Sequence, residues 1–102
     1  NDLEQTYPDS PELAVLSGKT LAAQGRMRAA TEAYTRAVSL DPLLADAHLA
    51  LGFSAARTGE LKRAADAWHT YLRLSPNGGP GHIVAEALQH VRALDQILEA
   101  AR

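Results

Sequence analysis

Residues 42–76 read PLLADAHLALGFSAARTGELKRAADAWHTYLRLSP, and residues 8–42 before them read PDSPELAVLSGKTLAAQGRMRAATEAYTRAVSLDP. Laid one above the other, the two stretches agree in step at an offset of 34 residues. Pro8, Pro42 and Pro76 share one position. Gly18 falls on Gly52, Gly25 on Gly59, Ala22 on Ala56, Ala30 on Ala64, Ala33 on Ala67 and Leu40 on Leu74, while Tyr34 meets Trp68. An internal period of this length is the mark of a helical solenoid, in which each unit stacks only on its neighbours.

Within a unit the residues specify two helices. Ser10 is placed to cap a helix whose first position is Pro11, where the absent N–H costs nothing and φ is already set. That helix is expected to run to about Gln24, with Gly25 supplying the permissive turn. A second helix is expected from Met27 to Leu40, closed by Asp41-Pro42, because proline disfavours helix in the residue before it. The following unit repeats the design, with helices predicted near Ala45 to Thr58 and Leu61 to Leu74, parted by Gly59 and closed by Ser75-Pro76. Gly18 and Gly52 fall mid-helix, where glycine costs about 0.5–1 kcal/mol relative to alanine. That cost points to the close approach of another helix. Ala30 and Ala64 are expected to do the same on the second helices, with Tyr34 and Trp68, four residues on, filling the space between.

Composition agrees. Alanine (20) and leucine (15) dominate, whereas valine and isoleucine together number six, too few β-branched residues to supply a sheet. The 102 residues, 46% of them apolar, suffice for a single core. A net charge of -2 with interspersed signs lacks the basic excess that nucleic acid or anionic lipid requires, and no apolar run approaches the roughly 20 residues of a membrane span. The reading is therefore a soluble chain, cytoplasmic rather than periplasmic, that binds no nucleic acid and does not insert into membrane. The first residue, Asn1, is not methionine, so a fragment of a larger, multi-domain protein is expected; the Ala-, Leu- and Arg-rich composition suggests a bacterial one.

A helix, a glycine turn, a second helix with an Ala-x-x-x-aromatic step and a closing proline, all within 34 residues, resembles the tetratricopeptide repeat. The matching residues are Gly18, Gly25, Ala30, Tyr34, Ala37 and Pro42 in one unit and Leu51, Gly52, Gly59, Ala64, Trp68 and Pro76 in the next. The resemblance implies an all-α fold: antiparallel helix-turn-helix repeats stacked as a right-handed superhelical solenoid, the α-α superhelix. On this alignment residues 1–10 are the end of a preceding repeat or a linker, 11–44 the first repeat, 45–78 the second and 79–102 a C-terminal capping helix. The cap is predicted to begin near His82, with Ile83, Val84, Ala87, Leu88, Val91, Leu94, Ile97 and Leu98 forming one apolar stripe. The chain departs from the family pattern at Ala14 and Ser17, where larger apolar residues are usual. Tyr71 stands where the family has a small residue, so the next helix must dock on a bulkier surface.

No residues present themselves for catalysis, for a cofactor or for a metal. Cysteine is absent, the glycines at 78–81 lack the lysine and the preceding strand of a phosphate loop, and His48, His69, His82 and His90 contain no i, i+4 pair. His48 and His82 lie one repeat apart, and ordinary packing is preferred there to a metal or pH-linked role. In the family the first helices of successive units line a concave groove that receives a peptide or helix. By alignment that groove would be lined by Glu12, Val15 and Lys19, with Ala22 and Ala23, and by Asp46, Leu49, Phe53 and Arg57, with Ala56. Phe53 either serves the groove as an aromatic anchor or packs on the last helix. A clamp for a chaperone tail carboxylate is disfavoured, since Val15, Leu49 and Phe53 occupy positions that need polar donors.

The expected function is a non-catalytic protein–protein interaction scaffold that takes a peptide or amphipathic helix of another protein. Self-association to a homo-oligomer, through an apolar side around Leu13, Leu16, Leu21 and Tyr34, is the first alternative. The second is an appendage that positions substrates for an enzyme elsewhere in the same chain.

Overall fold

The computed structural model describes residues 10–74 and 81–101, which form five α-helices and no strand. They are α1 (Pro11–Ala23), α2 (Met27–Leu40), α3 (Ala45–Arg57), α4 (Leu61–Leu74) and α5 (Gly81–Ala100). The expectations that concern residues 1–9 and 75–80, Pro76 among them, and those for the side chains of His82, Ile83, Val84, Ala87, Leu88 and Val91, lie outside the described residues.

Local chemistry accounts for the helix ends. Ser10 Oγ accepts the Leu13 N–H at 3.2 Å, and Pro11 occupies the first turn of α1. At the other end Gly25 takes φ +80, the Arg26 N–H reaches the Leu21 carbonyl at 2.9 Å and the Gly25 N–H reaches Ala22 at 3.0 Å. This pair of bonds is the Schellman closure, which a left-handed residue makes possible. The same closure recurs after α3, with Gly59 at φ +82, Glu60 bonded to Ala55 at 2.9 Å and Gly59 to Ala56 at 3.2 Å. Hence α1 and α3 each stop one residue short of the expected end, Gln24 and Thr58 becoming the caps. Asp41 is extended (φ -141, ψ 92), as its following proline requires, and its Oδ1 accepts the Leu43 N–H at 3.1 Å.

The helices pack in chain order: α1 on α2, α2 on α3, α3 on α4 and α4 on α5, with a lighter contact between α1 and α3. This is an all-α helical repeat solenoid. The close contacts lie where the glycines are. A Cβ built on Gly18 would stand under 3.0 Å from the Tyr34 ring, and one on Gly52 under 3.0 Å from the Trp68 indole. Each aromatic ring therefore rests directly on the backbone of its unit's first helix. Around these contacts the core is largely alanine: Ala30, Ala37, Ala47, Ala55 and Ala64 are all completely buried. Short side chains let helix axes approach and bring many atom pairs into dispersion contact.

Two groups of buried side chains result. The first joins Val15, Tyr34, Leu51 and the alanines between them across α1 to α4; the second joins Trp68 and Tyr71 of α4 to Ala55 and to Leu94 of α5. Tyr71, 4% exposed, is the bulky surface on which α5 sits, with Leu94 buried and Leu98 packed against it. Between the units Thr31 Oγ1 lies 2.9 Å from Ser54 Oγ, and both residues are buried. Each hydroxyl also has a carbonyl of its own helix within reach, Met27 for Thr31 and Leu51 for Ser54, so neither is stranded in the core.

The glycine contact has a measurable consequence. Gly52→Ala gains about 1 kcal/mol of helix propensity but forces the added methyl into the indole, an overpacking cost of typically 1–3 kcal/mol. The net effect should be a lower urea midpoint. In a Trp68→Leu background, where the ring is gone, the same glycine substitution should be neutral or stabilising.

Candidate functional site

A cleft of about 250 Å³ opens on the face shared by α1, α2 and α3, lined by Ala22, Met27, Tyr34, Ala50, Phe53, Ser54 and Arg57. Its walls are mostly hydrocarbon and aromatic ring, and Arg57 places one guanidinium at the edge. Burial of Tyr34, and secondarily the negative charge of Asp46, raise the tyrosine's pKa above its ordinary value. Its neutral form is thus favoured in the folded state, and the associated stability is present below pH 10.0 and lost as pH rises through the raised value. Tyr34→Phe should accordingly lose less stability than the parent chain in strongly alkaline urea titrations.

The structure divides the residues expected to line a groove. Arg57 and Phe53 border the cleft together with Ala22. Val15 does not lie on the surface: it is 6% exposed and belongs to the first core group, because its place on α1 turns it towards the neighbouring helices. Leu49 is half-buried against the second core group. Glu12 is exposed in the first turn of α1, where its carboxylate suits the helix dipole. Lys19 and Asp46 meet directly, Nζ to Oδ2 at 3.0 Å, tying α1 to α3.

Phe53 has two neighbourhoods. The ring lines the cleft and also meets Trp68 in a T-shaped contact (centroids 5.2 Å apart, planes at 74°) and His90 of α5 in another (6.2 Å, 82°). His90 in turn stacks on Trp68 at 5.1 Å and 28°. The three rings join α3, α4 and α5. Sequence reasoning considered His90 only as a metal ligand and missed this role; no spacing rule links residues on three separate helices. Among the described residues no group of three potential ligands surrounds a metal position. His48 Nε2 instead donates to the Pro42 carbonyl at 2.9 Å, and His69 pairs with Asp95 of α5 at 3.0 Å.

The residues assigned to the repeat core are buried as a set in Gly18, Ala30, Tyr34, Gly52, Ala64 and Trp68, and Pro42 begins the α2–α3 turn. Of the side thought to support self-association, Tyr34 is only 3% exposed and so cannot belong to a surface patch; Leu16 is 48% exposed. The Lys19–Asp46 pair is half exposed on both sides, so its worth is roughly 0.2–1 kcal/mol. A Lys19→Met and Asp46→Asn double-mutant cycle should return a coupling in that range which vanishes in molar salt, the behaviour of a screened surface pair.

No helix among the described residues is long and apolar enough to cross a membrane. A family model described as TPR repeat matches residues 18–59. The chain is similar in structure to the Sgt2 TPR domain from Aspergillus fumigatus, with a TM-score of 0.76 and 20% sequence identity over 96% of this chain. It spans 62% of the length of that chain. None of the curated proteins matches it in sequence. Residues 18–59 thus match the tetratricopeptide repeat model, and the fold of the described residues is that of a tetratricopeptide repeat domain.

Proposed function

We propose that this chain is a non-catalytic protein–protein interaction module that holds a short peptide or amphipathic helix of a partner protein against the face shared by α1 and α3. The observation that carries the reading is the cleft itself: apolar and aromatic walls from Ala22, Met27, Tyr34, Ala50 and Phe53, with a cation at the edge. Such a surface offers a pocket for an apolar anchor and a polar rim to orient it, the arrangement from which interface hot spots are made. The other groove positions, Glu12, Lys19, Asp46 and Leu49, lie on α1 and α3 as well. A tetratricopeptide repeat fold supports this class of function in general.

Variants must spare the core. Phe53→Ala would lose contacts to Trp68 and His90, and Leu49→Asp would place a charge against the second core group, so both confuse binding with folding. Ala22→Arg fills the cleft from a half-buried site on α1 that packs beside the first core group, so its urea midpoint serves as the folding control, and Arg57→Glu inverts the edge charge at an exposed site. With a helical peptide selected by display against this chain, each should weaken binding by tenfold or more while circular dichroism stays unchanged, as loss of a roughly 1.4 kcal/mol contact requires. Undiminished affinity in both variants would move the binding surface elsewhere.

A second reading, self-association, draws on the exposure of Leu16 on α1. Light scattering over a concentration series decides it: a mass that rises with concentration in the parent chain, and not in Leu16→Glu, would support that reading, and a constant monomer mass would dismiss it.

A further inference from the structure

Next to the apolar cleft lies a second, shallower one of about 570 Å³, lined by Gly25, Met27, Ala29 and Thr58 together with three arginines, Arg26, Arg28 and Arg57. The two clefts share Met27 and Arg57, so they form one continuous surface. Resting on the binding face proposed above, we infer that the partner segment is acidic, and that Arg26, Arg28 and Arg57 receive its carboxylates while an apolar side chain of the same segment occupies the neighbouring cleft.

Three observations support this site. The first is pairing. Lys19, Lys62 and Arg63 each meet a carboxylate, Asp46, Asp66 and Glu60 respectively. Arg26, Arg28 and Arg57 have no such partner among the described residues, although they converge on one cleft in a chain whose net charge is -2. Gathering like charges without counterions raises the local potential and costs stability, which an incoming anion would relieve.

Placement within the helices is the second. Arg26 and Arg28 stand at the start of α2, which carries no acidic residue in its first turn and no side-chain cap. Cations there oppose the helix dipole, at a cost of about 0.3–1 kcal/mol each at exposed positions. Only Arg57, in the last turn of α3, suits its own helix. The positive end of α2 and the three guanidinium groups thus present the same sign to one surface.

The third observation compares the chain with itself. One repeat period on from Arg26 stands Glu60, which pairs with Arg63 at 3.5 Å and accepts from Thr58 at 2.8 Å; one period on from Arg28 stands Lys62, which pairs with Asp66. The second unit neutralises this corner of its hairpin. The first replaces the acid by an arginine and leaves the corner positive, so the repeat fold does not demand the charge. Arginine's planar fork suits carboxylates, and three forks at one end of an apolar cleft read an anchor followed by acidic residues.

The test uses a fluorescein-labelled synthetic peptide with a leucine pair followed by a run of glutamates, amidated at its C-terminus, and its analogue with glutamine in place of every glutamate. Fluorescence anisotropy with the whole chain should show the glutamate peptide binding at least tenfold more tightly than the glutamine peptide, with an affinity that falls as sodium chloride rises. Arg26→Ala, Arg28→Ala and Arg57→Ala should each lower glutamate-peptide affinity by up to about fivefold, and the triple variant should bind the two peptides alike. All three side chains are exposed, so helicity should be kept and the urea midpoint kept or raised. Equal binding of both peptides by the parent chain, full affinity in the triple variant, or no binding of the glutamate peptide would each overturn the inference. If both peptides bind alike and Ala22→Arg abolishes both, the acid site fails while the binding face stands; if the display-selected peptide ignores Ala22→Arg, it is the face that fails.

Discussion

Two aromatic rings lie where a methyl group would otherwise have to be: Tyr34 against Gly18 and Trp68 against Gly52. Each contact seats a ring of the second helix directly on the backbone of the first, and the remaining packing follows from the approach. With the axes this close, residues larger than alanine would not fit at 30, 37, 47, 55 and 64, and all five of these alanines are completely buried. The contact also carries a cost. Trp68 Nε1 is buried without a hydrogen-bond partner, a donor left dry beside the Gly52 backbone. A net penalty of about 1–3 kcal/mol for such a group is tolerable because the indole packs on α3 and stacks on His90 of α5 as well.

The same tryptophan connects stability with the proposed binding face. Phe53 meets both Trp68 and His90 in T-shaped contacts and also borders the cleft. The position of α5 therefore bears on the shape of the cleft wall, even though α5 contributes no residue to the lining. Polar links join the helices at further places: Thr31 with Ser54 between α2 and α3, Lys19 with Asp46 between α1 and α3, and His69 with Asp95 between α4 and α5. Only the first is buried, and it is the one that fixes how one hairpin sits on the next at the cost of desolvating two hydroxyls.

Much of the fold was legible because its signals are local. Ser10-Pro11 starts a helix, Gly25 and Gly59 end helices by taking positive φ, and Asp41-Pro42 closes one, each through groups a few residues apart. The small residues were legible too, since a glycine retained inside a helix announces a close neighbour. What failed was the assignment of single faces. Val15 was expected on a groove and lies in the core, because α1 carries apolar positions around much of its circumference and no periodicity says which of them a neighbour will cover. Tyr34 was expected to fill the space between helices and also to stand on a side open to self-association; its ring closes over Gly18 and is buried, which leaves it only the first role.

By itself the sequence determined the number of described helices, their limits to within a residue, the turns between them and the repeated positions of glycine, alanine and aromatic ring, all of which depend on neighbouring residues or on one fixed period of 34. Only the tertiary structure decided that Phe53 meets His90, that Lys19 pairs with Asp46, and that Arg26, Arg28 and Arg57 share one cleft. Each meeting joins residues from different helices, with Arg26 and Arg28 at the start of α2 facing Arg57 at the end of α3. Their meeting depends on how each helix is rotated and how deeply it sits on the next, which the summed packing of alanines, glycines and rings settles and no single motif encodes.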